Sequence, residues 1–477
     1  MTVIRPSSIS GINSITANGG DINLFRADGT KADVPIVNNI TAGVVTATKF
    51  VGPIEGSGAN LTSIPAAQLT GTVADARIST LTSSKLSGAL PALDGSALTG
   101  VGVGTADSIN TSGIITATSF VPTVGQLSHR NLIINGAMQV AQRGTSSTSS
   151  ATSVTYQVDR FFVFADATDQ ASFTHAQVSD APTGFSKSFK LSVGTAETTL
   201  DANETLQFVQ RIEAQNLQQL DNGLSTAKSV TLSFYVKSYQ TGTFNVNLYK
   251  SDNTVRHISA TYTVNQSATW EKKTITFAGD TSGGGINDDN GNGLDIYWHL
   301  AAGSNFTSAD STSWGNYSAA GFAYGQAVNL MSSTDNYWQI TGVQLEVGPV
   351  ATPFEHRSIG EEFRRCQRYY QQYVNISAVG YVPNNGSRTY SHGFFFPVEM
   401  RAAPTMSITN TGSSNGQYIT DGSTNRYVSS VLSQGSKTTH MSVSFNLTGD
   451  LTDYRGAYLF ATTNTTYQTT YKIAAEL

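Results

Sequence analysis

The sequence predicts an all-β protein that joins a thin, repetitive stalk to globular β domains. Two observations predict the stalk. The segment NITAGVVTATKFV (39–51) is echoed by INTSGIITATSFV (109–121), and short repeats of low charge bury a core only against neighbouring repeats or chains. A third observation predicts the globular part. From about residue 130, apolar and polar residues alternate in short segments separated by Gly, Asn and Asp, which is typical of an antiparallel sandwich.

Length and composition narrow the class of protein. A chain of 477 residues corresponds to roughly three domains. Charged residues make up only 13% of it, against about 25% in an average globular protein, and Gly, Ser, Thr and Asn take their place. The net charge of −5 is mild and has no basic stripe. We therefore expect no nucleic-acid partner.

Cysteine content and the N-terminus bear on the compartment. Cys366 is the only cysteine, so the chain has no disulfide framework and no Cys-based metal site. Met1 is followed by TVIRPSSIS, which lacks the apolar core of a signal peptide. No run approaches the roughly 18 apolar residues of a membrane helix. We expect synthesis in the cytoplasm and no membrane insertion.

The chain divides into five predicted segments. Residues 1–35 form a small β-rich attachment segment with turn signals NGGD and ADGT, and residues 36–128 form the repetitive fibre stalk. Residues 129–357 are long enough for a jelly roll with long loops. A connecting helix follows at 358–375, and residues 376–477 return to short strands and turns in a smaller terminal β domain.

Alternation fixes the inward faces of several sandwich strands. The segments SVTLSFYVKS, TFNVNLYK and GLDIYWHL each place apolar residues at every second position. Those residues are Val230, Leu232, Phe234, Val236, Phe244, Val246, Leu248, Leu294, Ile296, Trp298 and Leu300. Between Ile340 and Val343 the phase slips by one residue, and Gly342 at the change predicts a β-bulge.

One helix has a clear start signal. Ser358 and Glu361 form a capping box. An apolar stripe follows at helical spacing, made of Phe363, Cys366, Tyr370 and Tyr373. Two interpretations of the stripe remain open: it packs on its own sandwich, or three copies meet at a threefold axis.

Two long segments resemble a known module. The stretch NLIINGAMQVAQRGTS (131–146) with VDRFFVF (158–164), and later WQITGVQLEVGPVATPFEHRSIGEEFRRCQRYYQQY (338–373), are similar to the two ends of a module of bacteriophage tail-fibre proteins. Segments between them, such as TWEKKTITFAGD (269–280), match by pattern, and the end from MRAAPT to IAAEL is similar to the small domain that often follows. GIITATSF resembles fibre stalks of phages of aquatic bacteria, including cyanophages.

The resemblance implies a fold and a role. It implies a jelly roll similar to carbohydrate-binding modules, in a virion protein that is usually homotrimeric and contacts the host surface. The expected partners are two further copies of the chain, other tail or baseplate proteins at the N-terminus, and host surface polysaccharide. The expected location is the virion tail fibre, after synthesis in the host cytoplasm.

Catalytic patterns are absent from the sequence. The seven histidines are scattered, and no HExxH, GxSxG or P-loop pattern occurs. Paired carboxylates for glycoside hydrolysis need about 5–10 Å between them in a cleft. Asp159, Asp295 and Glu346 have easier structural explanations, so we expect no enzyme. A glycan-cleaving fibre remains a lesser alternative.

One acidic loop is a candidate cation site. NDDNGNGLD (287–295) offers Asp288, Asp289 and Asp295 as oxygen ligands for a structural Ca²⁺, although the spacing is not that of an EF-hand. The alternative is a hairpin turn in which Asn and Asp tolerate left-handed backbone. No other cofactor is expected.

Sugar recognition requires exposed aromatic rings beside hydrogen-bonding side chains. Trp298, Trp270 and Trp338 are expected in the core. Tyr297 and His299 face the other side, while Trp314 and Tyr317 lie in the loop STSWGNYSAAG, where Trp314 either contacts ligand or plugs the end of the sandwich. The terminal domain adds five candidates among Asn, Ser and Gly, a mixture suited to recognition loops. These are Tyr381, Tyr390, His392, Tyr418 and Tyr427.

The sequence therefore predicts a fibre that binds host glycan through many weak, non-covalent contacts. One rival is a purely structural fibre, or a connector at the baseplate or neck, that touches no receptor. Contacts at both ends in the particle favour that rival, and a cleft with two facing carboxylates favours glycan cleavage.

Overall fold

A computed structural model describes residues 14–18, 21–31, 128–150, 154–166, 171–382, 389–410, 418–452, 455–459 and 469–477. The chain divides into two compact units, Met1–Ser112 and Gly113–Leu477. The predicted stalk lies outside the described residues except for its last position, so the stalk and the trimer stay predictions. In the described part, no helix is long and apolar enough to cross a membrane.

The N-terminal unit contains a β-hairpin at the predicted turn signals. Strands β1 (Ser14–Asn18) and β2 (Asp21–Phe25) pair antiparallel, with Asn18 opposite Asp21 across the NGGD turn. A second turn follows at ADGT. There Asp28 Oδ1 accepts from the Thr30 amide at 3.0 Å, and Gly29 takes a φ of +81° that glycine adopts without strain. The ADGT turn is confirmed, and the pairing of Asn18 with Asp21 agrees with the turn predicted at NGGD, whose Gly19 and Gly20 lie outside the described residues.

The second unit contains a two-sheet sandwich in which the chain crosses repeatedly from one sheet to the other. Its strands are β3 (Ser146–Ser150), β4 (Val154–Tyr156), β5 (Phe161–Asp166), β6 (Ser172–Val178), β7 (Ser188–Thr195), β8 (Thr205–Glu213), β9 (Val230–Ser238), β10 (Gly242–Lys250), β11 (Arg256–Val264), β12 (Glu271–Phe277), β13 (Asn292–Ala302), β14 (Gly315–Asn316) and β15 (Tyr337–Val347). One sheet has seven strands in the order β14-β11-β10-β13-β8-β5-β4, and the other has six in the order β12-β9-β15-β7-β6-β3. The predicted all-β fold class is confirmed.

The core lies between the two sheets. Every inward residue predicted from the alternating segments is buried, with relative exposures of 4% or less. Aromatic rings from opposite sheets meet there: Phe208 lies 5.4 Å from Trp338, and Phe234 lies 5.9 Å from Trp298, between ring centroids. Burial of these rings, together with the aliphatic side chains of the same core, holds the two sheets together.

Gly342 interrupts the regular pairing of β15 with β9. The register shifts between Thr341 and Gln344, and Gly342 has a φ of +63°. The extra residue lets Ile340 before the bulge and Val343 after it both point into the core, where each is fully buried. The predicted bulge is confirmed.

Trp270 departs from the prediction. Trp298 and Trp338 are fully buried as predicted, but Trp270 is only half-buried and donates from Nε1 to Asp180 Oδ1 at 3.2 Å. It precedes β12, whose inward residues have odd numbers and end at Phe277. An even-numbered residue faces the opposite side, so the placement of Trp270 in the core was wrong.

The helices are short. Among the described residues, the α-helices are α1 (Ser304–Thr307) and α2 (Ile359–Gln367), and 3-10 helices occur at Ala214–Leu220, Ala319–Gly321 and Leu330–Ser332. Ser358 Oγ accepts from the Glu361 amide at 3.3 Å, so Ser358 is confirmed as the N-cap, while the Glu361 carboxylate accepts from Arg365 at 2.8 Å. The predicted length of 358–375 was wrong, because the chain enters a strand at Tyr370 and pairs with a distant segment. Phe363 is 39% exposed, and the stripe is therefore not one buried helical face.

The terminal part contains a small barrel and a three-stranded sheet. Its strands are β16 (Tyr370–Val374), β17 (Ala378–Tyr381), β18 (Thr389–Phe395), β19 (Thr405–Asn410), β20 (Tyr418–Thr420), β21 (Asn425–Ser436), β22 (His440–Leu447), β23 (Gly456–Leu459) and β24 (Thr469–Ala474). The barrel closes in the order β17-β18-β22-β21-β20-β23, and the sheet has the order β16-β24-β19. A separate apolar core, centred on Phe445, Tyr471 and Ile473, fills this part.

Arginine side chains join the sandwich to the terminal part. Glu476 follows β24 and accepts from Arg143 at 2.7 Å and from Arg160 at 2.6 Å. Arg368, which ends α2, pairs with the buried Glu213 of β8 at 2.8 Å. Because these charges are largely withdrawn from water, the pairs fix how the terminal part sits on the sandwich.

Candidate functional site

The outer face of the seven-stranded sheet carries aromatic side chains. Strand pleating directs Leu248 and Ile296 into the core, and their neighbours Tyr249 on β10 and Tyr297 on β13 therefore point outward. Their rings lie 5.9 Å apart in an edge-to-face arrangement. Phe162 on β5 is opposite Val209 in the same register row as Tyr297 and so points to the same side.

The connection from β13 to β15 passes over part of this face. Its Tyr317 ring lies 5.5 Å from Tyr249, and its Phe322 ring lies 5.0 Å from Tyr297 and 5.9 Å from Tyr249. Tyr317 remains 42% exposed, whereas Phe322 is buried at 8%. The connection thus forms an aromatic wall on the sheet.

A groove of about 400 Å³ lies between this wall and the edge strand β4. Aromatic and apolar side chains line most of it, and four polar side chains complete it. The lining residues are Val154, Phe162, Phe164, Asp166, Thr205, Gln207, Arg211, Tyr249, Tyr297, Phe306, Tyr317 and Phe322. Flat rings beside a few hydrogen-bonding groups are what a sugar-binding surface needs, because pyranose faces are apolar and their edges carry hydroxyls.

Arg211 is the cation of the groove. Its guanidinium lies 5.0 Å from the Phe162 ring centre, its Nε lies 3.5 Å from Asp295 Oδ2, and its Nη1 donates to the Leu477 carbonyl at 2.6 Å. These three neighbours hold it against the groove wall. The fixed, planar group presents its remaining N–H donors in a defined direction.

The tyrosine hydroxyls serve as donors and acceptors, not as acids. Tyr297 donates to Asp295 Oδ2 at 2.9 Å. Burial raises the pKa of Tyr297, and the Asp295 carboxylate raises it further. Burial also raises the pKa of Tyr249 and Tyr317. Burial raises the pKa of Asp295, while the Arg211 charge opposes that shift. The groove is therefore equipped for binding through neutral hydroxyls.

Two of the predicted ligand contacts, Tyr297 and Tyr317, meet in this groove. His299 does not reach it. Its side chain is fully buried with its ring 5.0 Å from Phe322, and burial lowers its pKa to about 3. The prediction that His299 contacts ligand was wrong for this conformation, because the connection that carries Phe322 covers that part of the face.

Trp314 is partly buried and lies outside the lining of the aromatic groove. It packs against the sandwich core, and its Nε1 donates to the Ala278 carbonyl at 2.7 Å. Its own carbonyl accepts from Arg256 at 3.1 Å. It also lines a second groove, of about 600 Å³, beside β11 and the end of β12, so both of its predicted roles stay predictions.

Of the five candidates in the terminal domain, the structure describes the side chains of three, Tyr381, Tyr418 and Tyr427. Tyr381 is 57% exposed on β17. Tyr418 and Tyr427 are direct partners on β20 and β21, with ring centres 6.4 Å apart. Tyr390 and His392 lie in β18 opposite Phe445 and Val443, and their side chains are outside the described part.

The proposed metal ligands do not come together. Asp289 Oδ1 accepts from the Gly291 amide at 2.8 Å, which closes a turn, and Asp288 is exposed beside it. Asp295 lies inside β13, buried and paired with Arg211 and Tyr297. In the part of the chain that the structure describes, no group of three or more His, Cys, Asp or Glu side chains could hold a metal ion. The Ca²⁺ hypothesis for these three residues was wrong, and the turn alternative fits.

The carboxylates of Asp159 and Glu346, for which the sequence favoured a structural role over catalysis, accept hydrogen bonds from backbone amides. Asp159 is 1% exposed and accepts from the Gln142 amide at 2.9 Å. Glu346 is 2% exposed and accepts from the Thr352 amide at 2.8 Å.

Sequence reasoning missed several residues of the groove. Tyr249 could have been found, because it follows Phe244, Val246 and Leu248 out of phase in the same segment. Phe322 and Arg211 gave no such signal. Phe322 lies in an irregular connection, and Arg211 interrupts a strand that is buried on both sides at most positions.

No family model matches the sequence, and no curated protein matches it. Among solved structures, the enzymatically active domain of tailspike protein 4 from bacteriophage CBA120 is similar at 15% identity over 46% of this chain and 21% of that one, with a TM-score of 0.24. This chain thus spans about a fifth of the tailspike domain. A family 11 carbohydrate-binding module of a Clostridium thermocellum cellulosomal cellulase is similar at 15% identity over 43% and 99%, TM-score 0.23.

A family 61 carbohydrate-binding module solved with β-1,4-galactotriose is similar at 12% identity over 46% of this chain and 99% of that one, TM-score 0.19. Identities and TM-scores this low carry nothing about function. The description of this fold as a sandwich depends only on the two sheets observed in this structure.

Proposed function

We propose that the protein is a fibre of a bacteriophage virion that attaches non-covalently to glycan on the host surface. The observation that carries the binding part is the groove between Tyr317 and the edge strand β4. It combines Tyr317, which is 42% exposed, and the partly exposed Tyr249 and Tyr297 with the side chains of Arg211 and Asp166. The resemblance of 131–146 and 338–373 to phage tail-fibre modules supports the virion part.

Ring stacking and hydrogen bonding supply the binding energy in this proposal. Tyr297, Tyr317 and Tyr249 present apolar faces with hydroxyls at their edges, which suit a sugar ring and its hydroxyl groups. A single shallow groove binds weakly. Several linked sites on one virion raise the overall affinity by about 10²–10⁴ when the geometry permits simultaneous contact. The proposal includes assembly into a homotrimer, with residues 1–35 attached to the tail or baseplate.

Binding without cleavage is the simplest use of this groove. Among the described residues that line it, Asp166 is the only acid. Hydrolysis of a glycosidic bond normally uses two carboxyl groups on either side of the bond. A glycan-cleaving fibre would release reducing sugar from the bound polysaccharide, and the assay below includes that measurement.

The test uses the full chain on an array of bacterial capsule and O-antigen polysaccharides. We expect saturable retention by at least one of them, no release of reducing sugar, and a loss of about tenfold in affinity for Tyr317→Ala, equivalent to about 1.4 kcal/mol. Tyr239→Ala is the matched control, because Tyr239 is 47% exposed at the end of β9 in the other sheet. Equal losses in both variants, or no retention by a folded chain, would leave a structural fibre or connector as the better account.

The virion assignment has its own test. Antibodies against the full chain should label purified phage particles at the tail, and sedimentation equilibrium should give three times the chain mass of 50.6 kDa. Finding the chain in the lysate but not in washed particles contradicts the virion assignment. A monomer at all concentrations contradicts the trimer.

A further inference from the structure

The second groove, of about 600 Å³, lies between strands of the two different sheets. It borders β11 of the seven-stranded sheet and the end of β12, the edge strand of the six-stranded sheet. Every residue that lines it falls within 256–314, a range that the structure describes without a gap. It shares no lining residue with the aromatic groove, so the two grooves are separate surfaces.

Trp314 is the aromatic residue of the second groove that stays partly exposed. Its Nε1 donates to the Ala278 carbonyl at 2.7 Å, and its carbonyl accepts from Arg256 Nη2 at 3.1 Å. Arg256 Nε in turn donates to Asp280 Oδ2 at 2.9 Å, and Asp280 is 1% exposed. The indole is therefore held in place before any ligand arrives, which reduces the entropy cost of stacking a sugar ring on it.

Hydroxyl side chains line the same groove. A hydroxyl is both a donor and an acceptor and rotates to suit its partner, so it bonds to a sugar hydroxyl in either sense. Six exposed residues supply these groups. They are Thr261, Thr276, Thr281, Ser282, Thr312 and Ser313.

The edge of β11 adds backbone groups. The Ser259 amide faces away from β10, because it donates to the Ser311 carbonyl at 2.8 Å. Amides two residues apart on an antiparallel strand face the same way, so the Thr261 amide and carbonyl also face away from β10. Strand β14 pairs only with Arg256 and His257. The Thr261 backbone therefore has no ladder partner on the side away from β10, and Thr261 lines the groove.

The charges of the second groove are already paired. Arg256 and Asp280 are the only ionisable residues that line it, and they bind each other. The other Arg256 nitrogens donate to Asn316 Oδ1 at 3.0 Å and to the Trp314 carbonyl. Lys250 behind them is 0% exposed and donates to backbone carbonyls. An acidic sugar would lose hydration here without gaining a free cation, whereas a neutral sugar loses nothing comparable.

We infer that the second groove is a further glycan-binding site, and that its ligand is a neutral sugar that stacks on Trp314. This inference rests on the proposed attachment to glycan and adds a second site to each chain. Two sites in one chain make attachment multivalent within a single fibre.

The test measures acrylamide quenching of tryptophan fluorescence in the full chain. Trp298 and Trp338 are fully buried, so a ligand in the second groove should reduce quenching mainly by covering Trp314. The chain is titrated with each polysaccharide of the array. We expect reduced quenching with at least one retained polysaccharide that lacks carboxyl, phosphate and sulfate groups. Trp314→Phe should abolish this change while it keeps most of the binding, since a ring remains.

Ser313→Arg tests the groove without altering Trp314. Ser313 is exposed and lines the groove, so the longer side chain should obstruct it and weaken binding of the neutral polysaccharide about tenfold. Ser186→Arg is the matched control, because Ser186 is exposed before β7 in the other sheet and lines neither groove.

Tyr317→Ala separates the two grooves, and this variant should still show the covering of Trp314. Retention that Tyr317→Ala reduces, with no covering of Trp314 and unchanged affinity in Ser313→Arg, overturns the inference but leaves the proposed function standing. Equal covering of Trp314 by acidic polysaccharides contradicts the neutral class. Absence of retention by every polysaccharide overturns both proposals.

Discussion

Arg160 and Glu476 lie 316 residues apart in the sequence and form an ion pair with 2.6 Å between Nη1 and Oε2. The Arg160 side chain is 3% exposed, and its guanidinium also stacks on the Tyr369 ring at 3.4 Å. Glu476 is the carboxylate that compensates the buried charge, and it binds Arg143 as well.

We expect Glu476→Ala to lower the free energy of unfolding by about 3 kcal/mol, because removing one partner of a buried ion pair leaves a charge without compensation. Urea unfolding at neutral pH measures the change. The control is Glu361→Ala, since Glu361 pairs with Arg365 on the surface of α2 at side-chain exposures of 43% and 32%. Such an exposed pair contributes about 0.5 kcal/mol or less. Equal effects in the two variants contradict the expectation.

Acid should destabilise the protein partly through His175. Burial lowers the pKa of His175 from 6.5 to about 4, and its Nε2 lies 2.6 Å from Ser149 Oγ. Between these values the unfolded chain binds a proton that the folded chain does not. Stability therefore falls as pH drops from about 6.5 to about 4, by up to about 1.4 kcal/mol per pH unit for one proton.

The variant His175→Gln should reduce the change of unfolding free energy with pH by the part that His175 contributes. Glutamine does not titrate, and its amide can still bond to Ser149. The buried His257 and His299, whose pKa values burial also lowers, should still contribute to the pH dependence in the variant. Urea unfolding at stepped pH values gives both slopes. An unchanged slope in the variant would contradict the expectation, because it would show that the pKa of His175 is the same in the folded and the unfolded chain.

Gly342→Ala should destabilise the sandwich by about 2 kcal/mol or more, from left-handed backbone and overpacking. A Cβ at this position would lie 2.7 Å from Phe185 Cζ and 3.0 Å from Tyr235 Cδ2. Thermal unfolding measures the loss. Gly393→Ala on β18 is the control, because nothing lies within 4 Å of a Cβ there. A neutral Gly342→Ala contradicts the bulge geometry.

Lys250→Met should loosen the glycine-rich segment after β12. Lys250 is 0% exposed, and its Nζ donates to the carbonyls of Gly283 at 2.8 Å and Gly284 at 2.7 Å. Methionine fills the space without a donor, which leaves both carbonyls unpaired at a cost of about 1–3 kcal/mol each. Limited proteolysis should then cut within 281–285 faster than in the parent.

The control is Lys228→Met, since Lys228 is 42% exposed beside Asp221. Its replacement should leave the cleavage rate unchanged. Equal rates for Lys250→Met and the parent would show that the segment is held by other contacts.

Alternation of apolar residues was sufficient to predict the sandwich core. Strand pleating has a period of two, so Val230 to Val236 and Leu294 to Leu300 identify their own buried faces. The same rule exposed the bulge at Gly342, where the phase slips. Local sequence patterns were therefore sufficient to predict the inward faces of these strands and the N-cap of α2.

Local sequence patterns could not predict contacts between residues that lie far apart in the chain. Helical spacing from Phe363 to Tyr373 could not reveal that Tyr370 opposes Ala474, because the partner strand is about a hundred residues away. His299 failed as a ligand contact for a similar reason. Its outward direction was correct, but an irregular connection with no periodic signal covers it through Phe322.

The central position of β24 in its sheet has a consequence during synthesis. Strands β16 and β19 pair only with β24 in that sheet, and β24 is made after both. From the completion of β19 at Asn410 until residues 469–474 have been made, β16 and β19 both lack their ladder partner in this sheet, and unpaired strand edges on a nascent chain favour association with other chains. This sheet can therefore pair only after residues 469–474 have been made, late in the synthesis of the terminal part.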